Sequence, residues 1–166
     1  MKPNRSKPFV TALVVLASVS LLGARERNRS RCKPVHADLV EDGVTVGCKP
    51  EHTSCFLGEI DGNHGLRGTT YFRADDVAVG PDTSPGFSSY SGLFEYTTAR
   101  GMLVTRETGV VNTTVGGPAS GAVTAFQLIL DATGELEGVR GHFFVSGFSR
   151  NQHVVTRVTG QLCYPE

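Results

Sequence analysis

Tryptophan is absent from this sequence, and aromatic residues make up only 8% of its 166 residues. All four lysines precede position 50. From Cys32 onward the chain has 9 basic residues against 15 acidic ones, a net charge of about −6, although the whole chain is neutral. Nucleic acid is therefore not an expected partner, because binding its phosphates requires a basic surface.

The motifs of several common enzyme chemistries are missing as well. The sequence has no phosphate-binding glycine loop, no G-x-S-x-G nucleophile elbow, no H-E-x-x-H pair and no C-x-x-C pair. Its serine and cysteine residues have no recognisable catalytic partner. We expect no cofactor.

One apolar run is long enough to be a targeting segment. Basic residues within the first seven positions precede a stretch of 16 residues, Phe9–Ala24. This stretch is shorter than the ~20 residues of a transmembrane helix and is typical of a signal peptide. We interpret residues 1–24 as an export signal and expect a secreted or extracytoplasmic protein. Four arginines at 25–31 oppose translocation, so an uncleaved anchor that associates with the membrane is the alternative.

Most of the remaining chain consists of short runs of apolar, β-branched and aromatic residues. Connectors rich in Gly, Asp and Asn separate them, which is the signature of strands and hairpins. The predicted strands are 56–60, 65–72, 77–79, 92–98, 102–108, 122–130, 139–149 and 154–164. Short connections favour antiparallel pairing, and closing the sheet would remove edges that invite aggregation. We predict an all-β fold, an eight-stranded antiparallel up-and-down barrel over residues 55–166.

The segment between signal and barrel, residues 25–54, is predicted to be a loop that is first basic and then contains cysteines. An even number of cysteines in an exported domain predicts two disulfides among four residues, which are Cys32, Cys48, Cys55 and Cys163. The alternative is zinc bound by Cys48, His52 and Cys55. That site would require thiolates in a reducing compartment, so no metal is expected.

Several of these segments resemble the allene oxide cyclase barrel-like proteins, the relatives of plant allene oxide cyclase and of dirigent proteins. Cys55–Gly62 followed by Leu66–Thr70 resembles their first hairpin, and Gly92–Gly101 resembles their middle hairpin. Asp131–Gly141 resembles the glycine-rich turn between their late strands, and Thr159–Cys163 their closing strand. The resemblance implies an eight-stranded barrel around a small, mostly apolar cavity. It carries no catalytic residue over to this chain.

The barrel also suggests how the cysteines pair. Cys55 opens the first predicted strand and Cys163 ends the last one, and these strands are neighbours in a closed barrel. We therefore expect Cys55–Cys163 and Cys32–Cys48. The alternative pairs Cys48 with Cys55 and requires Cys32 to reach Cys163.

Glu95 is the first candidate catalytic residue. In a strand it points away from the face shared by Phe94 and Tyr96. If Glu95 faced the lumen, desolvation would raise its pKa and make it a general acid or base. If Phe94 and Tyr96 faced the lumen, Glu95 would be a solvated charge.

His142 is the second candidate, as a proton donor, although it could equally lie on the barrel surface. The candidate ligand-binding side chains are aromatic and lie in predicted strands, and they are Tyr71, Tyr96, Phe126 and Phe144.

We expect the barrel to bind a lipophilic small molecule and to guide its cofactor-free cyclisation or isomerisation, as the resemblance implies. The alternative is a secreted binding or structural barrel without turnover, whose lumen is filled by side chains. A homo-oligomer formed through the outer apolar face of the late strands is a third expectation.

Overall fold

The computed structural model of the protein describes residues 31–114 and 120–166. Eight antiparallel strands form a closed barrel in which each strand pairs with its neighbours in sequence and β8 pairs with β1. The strands are β1 (Arg31–Val44), β2 (Cys55–Gly62), β3 (Arg67–Val79), β4 (Phe87–Thr98), β5 (Gly101–Asn112), β6 (Ser120–Ala132), β7 (Arg140–Arg150) and β8 (His153–Tyr164). The prediction of an eight-stranded antiparallel barrel is confirmed.

The first strand lies where a loop was predicted, so the loop assignment was wrong for residues 31–44, while residues 25–30 lie outside the described residues. Pro34, Gly43 and Gly47 suggested a loop, yet β1 runs through Pro34 and forms the seam of the barrel with β8. Alternate residues of β1 are buried, as in any strand with one face in a core. These residues are Val35, Ala37, Leu39 and Glu41. Among the described residues the barrel therefore begins at Arg31, and not at Cys55.

The number of strands is still eight, because two of the predicted strands form a single strand. Residues 65–72 and 77–79 were predicted to be separate strands, but residues 67–72 and 77–79 both belong to β3. The register of β3 against β4 shifts between Ala74 and Asp76, which marks a β-bulge. A bulge lets a strand continue while its alternation of buried and exposed residues is interrupted. That interruption resembled a strand break in the sequence.

The disulfides follow the alternative pairing, and the expected pairs Cys55–Cys163 and Cys32–Cys48 are wrong. Cys32 is bonded to Cys163, and Cys48 is bonded to Cys55. The reason is the missed strand: β1, and not β2, is the neighbour of β8, and its Cys32 is in register with Cys163. All four sulfurs are in disulfides, so no thiolate is left for zinc.

One half of the lumen is filled by side chains. Phe94, Tyr96 and Phe143 pack across it in tilted and edge-to-face contacts, with ring centroids 4.7 Å apart for the first pair and 5.7 Å for the second. Leu66 and Leu136 come from connections at this end of the barrel and are buried against the same core. This end is therefore closed by the protein itself.

The only helix in the described part of the chain is a single 3-10 turn, Gly134–Leu136. Across residues 31–114 and 120–166, no helix is long and apolar enough to span a membrane. The predicted export signal or anchor, residues 1–24, lies outside the described residues. Two disulfides are typical of an oxidising, extracytoplasmic environment.

Candidate functional site

The other half of the lumen is a cavity of about 250 Å³. It lies at the end of the barrel where odd-numbered strands finish and even-numbered strands begin. Most of its wall is apolar and includes Phe56, Phe72, Val111, Val123, Val145 and Val154. Val77 also lines the cavity and is 64% exposed, so the cavity opens to solvent at its rim.

Two carboxylates, Glu41 from β1 and Glu107 from β5, line this apolar cavity. They are 7% and 4% exposed. Each follows from strand alternation, because Glu41 continues the buried face of β1 and Glu107 continues that of Leu103 and Thr105 in β5. Burying two acids in one lumen is costly unless hydrogen bonds or protonation compensate for the lost water.

Hydrogen bonds compensate Glu107. Its carboxylate accepts one from the side-chain amide of Gln127 and another from the hydroxyl of Tyr90. Gln127 in turn accepts a hydrogen bond of 2.5 Å from the Tyr96 hydroxyl. Burial raises the pKa of Glu107, while the donors from Gln127 and Tyr90 act in the opposite direction.

Glu41 has no such donors. Its Oε1 is one of three buried side-chain atoms without a hydrogen-bond partner among the described residues, the others being Oγ1 of Thr70 and Oγ1 of Thr156. Burial, and secondly the charge of Glu107, raise the pKa of Glu41 to about 8. The proton of this pair is therefore held on Glu41 at neutral pH, and Glu107 ionises first because it alone has donors.

Gly58 of β2 leaves the space that Glu41 occupies. A β-carbon at this position would lie 2.6 Å from Cγ of Glu41, 2.7 Å from Oγ1 of Thr70 and 2.4 Å from the backbone oxygen of Val40. These distances are too short for any side chain, so only glycine permits this arrangement. The carboxyl of Glu41 and the hydroxyl of Thr70 consequently lie next to each other on the lumen wall.

The phenols of Tyr90 and Tyr96 complete the polar part of the lumen. Burial and the nearby carboxylates raise the pKa of both, so both remain neutral donors. The site thus combines a neutral acid, a hydrogen-bonded carboxylate and apolar walls. This combination can bind a molecule with one polar end and can transfer protons to and from it.

Glu95, predicted as a catalytic residue, does not belong to this site. Phe94 and Tyr96 face the lumen, so Glu95 lies on the outer face, where it forms an ion pair with Lys49. Tyr71, predicted to bind ligand, also lies outside and accepts a hydrogen bond of 3.2 Å from the backbone N–H of Lys49. Both assignments were wrong, and both residues hold the β1–β2 connection against the barrel.

His142, the other predicted catalytic residue, is on the outer face of β7. Its ring lies 5.8 Å from that of Phe126 and 5.5 Å from that of Phe144. Phe126 is 41% exposed and Phe144 is 54% exposed, so neither can line the lumen. These three assignments were wrong because Phe143, between two outward residues, faces inward.

Of the predicted ligand-binding residues, only Tyr96 faces inward, and it supports Gln127 rather than lining the cavity. Sequence reasoning missed Glu41 because its segment was taken for a loop. Glu107 had a signal that was overlooked: it shares a strand face with Leu103 and Thr105, while Arg106 lies on the other face. The structure places no group of three or more potential metal ligands together within the described residues.

No family model, curated protein or solved structure matches this chain. The resemblance to allene oxide cyclase-like proteins therefore stays a prediction, and the function has to be argued from the lumen.

Proposed function

We propose that this protein binds one small lipophilic molecule in the open half of its barrel and guides a cofactor-free, proton-transfer isomerisation or cyclisation of it. The observation that carries the proposal is the cavity of about 250 Å³, with apolar walls and two buried carboxylates. An engineered apolar cavity of ~150 Å³ is large enough for benzene, so a molecule with one or two rings is a reasonable occupant.

The carboxyl pair supports the catalytic part of the proposal. Glu41 is the general acid, because burial raises its pKa to about 8 and keeps it protonated at neutral pH. Glu107 is the general base, because it ionises before Glu41. An isomerisation would move a proton from a carbon of the ligand to Glu107, while Glu41 protonates an oxygen of the ligand. Positioned acids and bases of this kind contribute roughly 10²- to 10⁴-fold to a rate.

The alternative of a barrel filled by side chains describes the closed half only, where Phe94, Tyr96 and Phe143 pack together. Binding without turnover would use the same cavity. We further propose that the protein is secreted, with residues 1–24 as its signal or membrane-associated anchor. Exposed Phe126 and Phe144 support a homo-oligomer through the outer face of the late strands.

Binding is tested with 1-naphthylmethanol, a neutral probe whose fluorescence is not obscured because the chain lacks tryptophan. We expect one site per chain. Val154 lines the cavity, whereas the adjacent Val155 faces outward and is 49% exposed. Val154→Phe should weaken binding strongly, and Val155→Phe is the matched control. Absence of binding to the folded protein would refute the proposal.

Proton transfer is tested with 1-acetylnaphthalene in D₂O, by following exchange of its methyl protons. We expect the protein to accelerate exchange, and Glu107→Gln to abolish the acceleration. Glu59→Gln, which alters an exposed carboxylate on β2, is the control. Bound ketone without accelerated exchange would leave a binding protein and remove the catalytic part of the proposal.

A further inference from the structure

We propose that the lumen selects lipophilic amines, in their protonated form, over neutral and anionic molecules of the same size. The inference rests on ligand binding in the lumen, as proposed above, and does not depend on proton transfer. It names the chemical class of the ligand.

The first argument is the charge of the cavity wall. The described residues that line it include two carboxylates, Glu41 and Glu107, and no Lys, Arg or His. A cation would neutralise this pair, whereas a carboxylate ligand would add a third acid to an apolar space with nothing to balance it. In a water-poor lumen such charge differences have large effects on affinity. Fatty acids and other lipophilic anions are therefore excluded as preferred ligands.

The second argument is the set of unpartnered oxygens. Oε1 of Glu41, Oγ1 of Thr70 and Oγ1 of Thr156 are buried and lack hydrogen-bond partners. Gly58 brings the first two together. Thr156, on the neighbouring strand β8, pairs with Leu39 and so lies diagonally across from Glu41 on the same inward face. Glu41 and Thr156 line the cavity, and Thr70 lies behind them next to Glu41. A primary ammonium group has three N–H donors, enough for both cavity-lining acceptors.

Elsewhere in the lumen the second carboxylate already has its hydrogen bonds. Glu107 accepts from Gln127 and Tyr90, and Gln127 accepts from Tyr96. The hydroxyls of Ser88 and Ser149 also line the cavity, but they are uncharged and less buried than Glu41. Among the described residues, the buried carboxylate that remains without a donor is Glu41, which is where we place the ammonium group.

Amine binding requires Glu41 to lose its proton, which gives the inference a pH signature. The titratable groups facing Glu41 are Glu107 from β5 and the phenols of Tyr90 and Tyr96 from β4. The residues of the other strands that face this part of the lumen are uncharged, and they include Phe56, Thr70, Gln127, Val145 and Thr156. Because the pKa of Glu41 is about 8, amine affinity should rise about tenfold per pH unit below pH 8, level off above it, and fall once the pH exceeds the pKa of the amine itself. A neutral ligand that accepts a hydrogen bond from protonated Glu41 should show the opposite trend.

The test compares 1-naphthylmethylamine, 1-naphthylmethanol and 1-naphthoate by isothermal titration calorimetry with the whole oxidised protein. We expect the amine to bind at least tenfold more tightly than the alcohol at pH 8, and the carboxylate not to bind. At pH 7, titrations in two buffers of different ionisation enthalpy should show close to one proton released per amine bound. Proton release is measured on the unaltered protein and so needs no variant to fold.

Glu41→Gln is the variant that isolates the charge. It should lose the preference for the amine and the proton release, and its far-ultraviolet circular dichroism should match that of the unaltered protein. Glu59→Gln should change none of these values. If the alcohol binds as tightly as the amine, or binds with the pH trend expected for the amine, the inference is wrong and lumen binding still stands. If none of the three molecules binds to the folded protein, both proposals are wrong.

Discussion

The stability of the barrel should depend on pH through Glu41, and this is the sharpest consequence of its burial. The pKa of Glu41 is raised from 4.5 to about 8 in the folded protein. Between these values the folded state holds a proton that the unfolded state has released. Stability is therefore fully present below pH 4.5 and is lost as the pH rises through 8. A difference of 3.5 pH units corresponds to a loss on the order of 5 kcal/mol, since each unit is worth about 1.4 kcal/mol.

Such a loss would be a large part of the ~5–15 kcal/mol by which domains of this size are stable. The measurement is the free energy of unfolding in guanidinium chloride, taken without reductant at intervals from pH 5 to pH 9. The Glu41→Gln variant has no ionisable group at this position. Its free energy of unfolding should therefore increase relative to that of the unaltered protein as the pH rises. Glu107 also has a raised pKa and acts in the same direction in both proteins, so the difference between them isolates Glu41. Exposed Glu59→Gln is the control. Parallel curves for the unaltered protein and Glu41→Gln would refute the reasoning.

Three further variants test how the lumen is held together. Replacing both Cys32 and Cys163 with Ser should cost roughly 4–5 kcal/mol of unfolding free energy, since the bond spans 131 residues and restricts the unfolded chain; calorimetry of the variant checks this. Tyr96→Phe leaves Oε1 of Gln127 without its donor and should cost about 1–3 kcal/mol, measured by denaturant unfolding. Gly58→Ala would place a methyl group 2.4 Å from a backbone oxygen of β1 and should abolish 1-naphthylmethanol binding or folding, as fluorescence titration and circular dichroism would show; a folded variant with unchanged affinity would contradict the role of Gly58.

The barrel itself could be predicted because strand signals are local. Runs of β-branched and aromatic residues between glycine-containing connectors identify strands whatever they pair with. The late strands, predicted at 122–130, 139–149 and 154–164, agree with β6, β7 and β8 to within two residues at each end. The first strand was missed because Pro34 and Gly43 are local signals for a loop. In the barrel, the pairing of β1 with both β2 and β8 outweighs them.

The disulfides show how one missed strand affects distant residues. Once β2 was taken for the first strand, Cys55 became the neighbour of Cys163, and Cys32 was left for Cys48. With β1 in place, Cys32 stands directly opposite Cys163 in the register. The bond between Cys48 and Cys55 then closes the connection from β1 to β2, whose Lys49 meets Glu95 on the outer face.

Which carboxylate enters the lumen depends on which residues of its strand face inward. That facing alone does not determine whether the carboxylate acts as an acid or as a base. Glu95 and Glu107 both lie in strands with apolar neighbours. Glu95 lies on the face opposite to the buried Phe94, whereas Glu107 lies on the same face as the buried Leu103. What makes Glu41 different from Glu107 is set by still more distant residues. Gln127 of β6 and Tyr90 of β4 flank β5 and both donate to Glu107. Glu41 on β1 has Gly58 of β2 beside it, which offers space and no donor. Two identical side chains thus become a stabilised base and a protonated acid because their neighbouring strands differ, and that division follows from register rather than from sequence.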